Sequence, residues 1–295
     1  MAFTRRRLNL QFRLGTGDFG SDGSNTVDLT GLRVIANISK AGGVSMSQLE
    51  LRVYGMDIDV MNRLTILNKL RQYDTRFNVV TVSAGDDQNG TAVCFQGTLT
   101  QAWADLTNAP DAVFICSAST GYVDALRPIA PTSYDGTIDV ATAFSGIAAQ
   151  MQPPRSLENT GVDVRIASPY LPGTAMDQLR ALARAANVNC VLDDPNVVAI
   201  WPAGLTRGGV IPVISQATGL VGFPRYTQNG IQLTSLYNPS LTFGQRVEVR
   251  SDLTPANGQW TVASVTHNLS SEMPGGPWFT QVDCSLIGQV VPIIG

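Results

Sequence analysis

The chain has 295 residues and a mass of 31.5 kDa, room for two or three domains of ordinary size or for one large barrel. Charged residues are 15% of it, against a usual share of about 25%, and hydrophobic residues are 44%, which excludes intrinsic disorder and coiled coil. The net charge of −3, from 20 basic and 23 acidic side chains, provides no whole-protein field to gather nucleic acid or an anionic membrane.

Cys94, Cys116, Cys190 and Cys284 show no close pairing, and each sits in an apolar or alternating segment, so they are expected as free buried thiols. The basic opening has no apolar stretch of signal-peptide kind behind it, and no run of about 18 apolar residues occurs, so neither export nor membrane anchoring is expected. The sequons at Asn37, Asn89 and Asn268 are then chance matches.

From Leu8 to about Ser119 the pattern has period two. Leu32, Val34, Ala36 and Ile38 share one side of a strand, as do Leu49, Leu51 and Val53. Between Val79–Val82 and Ala92–Phe95 lies Asp86-Asp87-Gln88-Asn89-Gly90, whose Asn-Gly is expected to supply the positive φ values of a tight hairpin. Asp57 is placed to cap a short helix carrying Val60, Leu64 and Leu67.

After Pro128 and Pro131 the period becomes helical. Asp139 caps a helix with Val140, Phe144, Ile147 and Met151 on one face, stopped by Pro153-Pro154, and a strand follows over Val162–Ala167. Thr174 and Asp177 resemble a capping box before a second helix with Met176, Leu179, Ala183 and Ala186 inward, ending at Asn187. A hairpin follows, from Cys190-Val191-Leu192 through Asp193–Asn196 to Val197–Trp201.

From about Leu205 short alternating runs return, separated by turns at Gln228–Gly230, Asn238-Pro239, Ala256–Gly258 and Pro274–Pro277, the pattern of a small barrel or sandwich. Trp278, Thr280, Val282, Cys284 and Leu286 share a face of the last run. Along Trp260–Leu269 the apolar positions slip from even to odd, which a bulge near Ala263 and Ser264 would produce. No short sequence repeat occurs.

Gly15–Gly20 spells GxGxxG, but Ser21–Asn25 cannot open the helix a dinucleotide site needs, so the segment reads as a loop. His267 is the single histidine, which excludes metal sites of two or more histidines, and its mid-strand place reads as structural. Glu50, Glu158, Glu248 and Glu272 are the only glutamates; a glycosidase could run on paired carboxylates, with Glu158 or Glu272 the residues to test. Arg5-Arg6-Arg7 reads as a solvated terminal run, and Trp278 and Tyr237 as packing residues or, in a carbohydrate-binding module, as sugar platforms. No catalytic, cofactor-binding or metal residue is nominated, and no cofactor.

Gly219–Ile231, Leu236–Leu241, Gly244–Val247, Asn257–Val262, Val265–Leu269 and Gly275–Thr280 together resemble the C-terminal region of tail baseplate hub proteins of contractile-tailed bacteriophages. Leu32–Lys40, Gln48–Tyr54 and the short helix ending near Leu64 are similar to the opening domain of the same family.

The resemblance implies a β-rich α+β chain in which two tube-like antiparallel β-barrels, residues 1–130 and 204–295, flank a small α+β domain at 131–203. It implies a homotrimer whose six barrels make a pseudo-six-fold ring, adapting a hexameric tail tube to a trimeric central spike. The implied partners are tube or tube-initiator proteins, the central spike and other baseplate proteins, with DNA only as passing cargo. The implied location is the virion tail baseplate, assembled in the host bacterial cytoplasm, and the implied protein is not an enzyme. Some hubs of related injection machines carry or adjoin a lysozyme or peptidase, for which this chain has no spare domain.

Overall fold

The computed structural model describes residues 4–20, 23–42, 46–66, 77–107, 109–193 and 195–286. They form two compact units: Met1–Ser39, Ser47–Tyr122 and His267–Trp278 make the first, and Lys40–Met46, Val123–Thr266 and Phe279–Gly295 the second.

The first unit takes its strands from the period-two stretch: β1 (Arg6–Arg13), β2 (Thr26–Leu29), β3 (Arg33–Ala41), β4 (Gln48–Tyr54), then helix α1 (Ile58–Leu64), β5 (Val79–Asp86), β6 (Gly90–Asp105) and β7 (Val113–Ser119). Leu8, Leu10 and Phe12, then Val34, Ala36 and Ile38, then Leu49, Leu51 and Val53 are buried on one face, as alternation requires. The sheet runs β3-β4-β7-β6-β5-β1-β2, each neighbour antiparallel. Phe12 and Phe114 meet edge to face in the core, with ring centroids 6.0 Å apart.

Two local expectations need correction. Asp57 caps α1 through its side chain, but the helix buries Met61 and Leu64 while Val60 is half exposed; Leu67 lies outside the described residues. At the β5–β6 turn only Gly90 has positive φ (77°). The carboxylate of Asp86 accepts from the backbone N–H of Gln88 and Asn89, both at 2.8 Å, so the turn is wound on the aspartate and one glycine suffices.

The second unit begins with α2 (Tyr122–Leu126), whose first residue still belongs to the first, then β8 (Thr132–Ser133), β9 (Thr137–Asp139), α3 (Val140–Ala148), β10 (Ser156–Asn159), β11 (Arg165–Ala167), β12 (Tyr170–Leu171), α4 (Ala175–Ala186), β13 (Val188–Asp193) and β14 (Val197–Pro202). Asp139 caps α3 and Thr174 with Asp177 forms a full capping box on α4, which ends at Asn187 in the left-handed region. α3 stops at Ala148, ahead of Pro153: the Gln152 N–H that would continue it goes to the Asp124 carboxylate at 2.8 Å, and the Ala148 carbonyl accepts from the Met151 and Arg155 N–H groups instead. The strand expected over 162–167 shortens to β11, since the side chain of Asn159 binds both the N–H and the carbonyl of Val162 and holds that end as a loop. β10 pairs parallel with β14, a strand not foreseen.

The β13–β14 hairpin is apolar on both faces. One face packs on Phe144, Ile147 and Leu179; the other puts Val191, Ala199 and Trp201 against Phe243. This explains the nearly continuous apolar run of β14, which a one-sided strand would not carry.

The remaining strands are β15 (Val213–Ser215), β16 (Arg225–Thr227), β17 (Gly230–Leu236), β18 (Arg246–Arg250), β19 (Gly258–Ser271), whose end from His267 on belongs to the first unit, and β20 (Trp278–Ser285). In β19, Trp260 and Val262 are buried, Ala263 and Ser264 both half exposed, and Val265, His267 and Leu269 buried again, the slip the sequence pattern anticipates. Leu286, expected inward, is half exposed.

The two units repeat one strand order. The first reads β3-β4-β7-β6-β5-β1 and the second β16-β17-β20-β19-β18-β15, so β1, β3, β4, β5, β6 and β7 correspond in chain order to β15 through β20. The last pair differs in sense: β1–β5 is antiparallel and β15–β18 parallel.

Candidate functional site

The arginine run at the start of the chain is engaged, not merely solvated. Arg5 holds Glu272 at 2.6–2.8 Å, Arg7 holds Asp87 at 2.6 Å, and Arg6 donates to the Gly276 carbonyl while its guanidinium lies 5.8 Å from the Trp278 ring centre. These contacts bring the start of β1 against residues 272–278, which belong to the first unit, so its sheet has curled far enough for distant strands to meet. The acid partner lies 267 positions along the chain, beyond the reach of local pattern. Glu272 sits at φ 52°, and the Arg5 hydrogen bond holds its carboxyl below the ordinary range, the opposite of what a general acid needs.

In the second unit Arg207, 8% exposed in its side chain, grips both carboxylate oxygens of Glu158 at 2.7 and 2.6 Å and reaches Asp193 at 2.7 Å. Lys40 lies 3.8 Å from Asp193. Burial alone would lower the Arg207 pKa, but the two acids outweigh it and raise it. Glu248 pairs with Arg250 at 2.8 Å, and Glu50 is exposed on β4.

His267 is buried in β19, and all four cysteines are buried and form no disulfide; burial pushes Cys190 and Cys284 up to about 12 and Cys116 higher still, far from a thiolate nucleophile. Trp278 is buried and Tyr237 half buried. The Gly15–Gly20 segment opens no helix: Gly15 N–H donates to the Asn78 side chain at 3.1 Å and Phe19 N–H to the Ser24 carbonyl at 2.8 Å, a loop leading into β2. Among the described residues no three His, Cys, Asp or Glu converge as metal ligands, and no helix is long and apolar enough to cross a membrane.

Exposed large hydrophobic side chains are spread over the chain, Val210, Tyr170 and Leu205 among them, and two groups lie at strand features. Beside the edge strand β16, Phe223 is 61% and Tyr226 59% exposed, and toward the β6–β7 hairpin tip Trp103 is 37% and Leu106 50% exposed. Exposed aromatic side chains at strand ends suit association more than catalysis.

The family model described as baseplate hub gp41 matches residues 10–284. The chain belongs to this baseplate hub family. No curated protein sequence matches it. Solved structures share the hub's fold: a tail protein from Neisseria meningitidis MC58 at TM-score 0.64 and 10% identity, over 97% of this chain and 98% of that one. The 43 kDa tail protein of prophage MuSo2 from Shewanella oneidensis aligns at 0.55 and 12% identity, over 94% and 98%. The E. coli c3393 protein, a type VI secretion component described as similar to T4 tail proteins gp27 and gp5, aligns at 0.59 and 11% identity, over 90% and 77%.

The hub is thus a structural protein of the phage tail and a virion component. Exposed Phe223, Tyr226, Trp103 and Leu106 could not be singled out in the sequence, because exposure and not residue type sets them apart.

Proposed function

We propose that three copies of this hub assemble into a pseudo-six-fold ring that adapts a hexameric tail tube to a trimeric central spike in a contractile tail. The observation that carries this reading is the repeated strand order: one chain of the family holds two β units built on one plan, so three chains supply six such units. The reading takes 1–130 and 204–295 as the ring-forming domains and 131–203 as the insert between them. It places assembly in the host cytoplasm, with tube, spike and baseplate proteins as partners and DNA as passing cargo.

The work is symmetry matching without catalysis. Arginines occupy Glu158 and Glu272, the carboxylates a hydrolase would have used. Light scattering with native mass spectrometry on the full chain should find a trimer that binds tube or spike proteins. A strict monomer at high micromolar concentration that binds neither would overturn the reading. Clearing of peptidoglycan by the wild type, lost in Glu158→Gln or Glu272→Gln, would put a hydrolase in its place.

A further inference from the structure

We propose that the β6–β7 hairpin tip of one copy docks on the β16 edge of a second copy. The proposal rests on the trimer reading above and names the surfaces that would build it. Its starting point is the repeat. Strand β16 holds in the second unit the place that β3 holds in the first, and the β19–β20 hairpin corresponds to the β6–β7 hairpin.

Inside the first unit β3 is not left as an edge. The far end of β19, from His267 on, lies beside it; the Ser271 hydroxyl donates to the Leu32 carbonyl at 3.2 Å, and past the strand end Glu272 meets Arg5. The first unit therefore shows one case of a hairpin end laid beside this strand, with the acid at its tip held by an arginine that precedes β1.

The second example is left open. β16 ends its sheet, with no strand on its outer side among the described residues, and on the β6–β7 hairpin Trp103 and Leu106 are exposed beyond the bridge that Ile66 makes to Ala102. β16 is short, carries Arg225 and follows Pro224, so its backbone edge is guarded, and what it offers a partner is the exposed rings of Phe223 and Tyr226.

The two open surfaces suit each other. Phe223 and Tyr226 on the edge offer rings to Trp103 and Leu106 on the tip. Arg225, exposed and lying between Phe223 and Tyr226 in the sequence, carries the charge opposite to that of exposed Asp111 on the tip. Pro224 removes one backbone donor from the edge, so side-chain packing carries the contact more than strand addition does. Because tip and edge are different surfaces, the contact is head to tail, and repetition leaves neither exposed only when the ring closes.

The test uses full-length chains and a short bismaleimide. Leu106→Cys and Phe223→Cys are made separately, the native thiols being buried. A mixture of the two variants should give crosslinked dimers on a denaturing gel, while either variant alone gives none. Leu106→Arg and Phe223→Arg, checked for folding by circular dichroism, should each weaken association by about tenfold or more. A trimer that persists in both arginine variants, with no crosslink in the mixture or with equal crosslinking by one variant alone, overturns this docking and leaves the trimer reading standing. A wild type that never leaves the monomer overturns both.

Discussion

Arg207 binds both oxygens of Glu158 in parallel, at 2.7 and 2.6 Å, and so ties strand β10 to the segment that leads into β15. The guanidinium is buried while Glu158 keeps 41% of its side chain exposed, so water screens one end of the pair. Breaking a buried pair costs about 3–5 kcal/mol. With that screening, Arg207→Ala is expected to lose about 2–3 kcal/mol in urea unfolding and Glu158→Gln about 1 kcal/mol. Equal losses from the two variants would contradict the asymmetry of burial.

Gly244 is at φ 80°, and a Cβ there would lie 2.3 Å from the Trp201 ring. Gly204 has a similar φ of 79° with open space around it. Alanine at Gly204 is therefore expected to cost about 1 kcal/mol, the left-handed penalty alone. Alanine at Gly244 adds a ring displacement in a packed core, for about 3 kcal/mol or more. Thermal unfolding of both variants separates the two contributions, and equal losses would mean the Trp201–Phe243 cluster yields more easily than its burial implies.

Local chemistry was legible. Asp57, Asp139 and Thr174 sit at helix starts because a side-chain acceptor beside an apolar face leaves the backbone few other choices, and each does cap. The parity slip in β19 was equally visible, since a strand can keep both halves apolar only by shifting one. Distance in sequence defeated the rest: Arg5 with Glu272 and Arg207 with Glu158 are pairings that no window of residues contains. The repeated strand order was hidden for another reason, because apolar alternation is the same in every antiparallel sheet and carries no record of which strand neighbours which.

Cys116, Cys190 and Cys284 should resist an alkylating reagent near pH 8, because burial raises their thiols, Cys190 and Cys284 to about 12, and closes off access. The expected outcome is negligible labelling of these sites in the native protein and full labelling in urea, followed by intact mass. Rapid native modification at Cys116, in the core of the first unit, would show that unit opening well below its global unfolding free energy.

Asp124 supplies the pH test. Its residue is 3% exposed, one carboxylate oxygen accepts from the Gln152 N–H at 2.8 Å, and burial raises its pKa against the opposing pull of that hydrogen bond and of Arg155. A raised folded value means the neutral acid suits the fold, so the stability it contributes is full below the unfolded pKa and is lost as pH rises through the folded one. Asparagine keeps an acceptor for Gln152 and never ionises. The stability of Asp124→Asn relative to wild type should therefore rise from acid toward neutral pH, measured by chemical unfolding at a series of pH values. A relative stability that falls as pH rises would mean that Arg155 outweighs burial and that the carboxylate is the form the fold prefers.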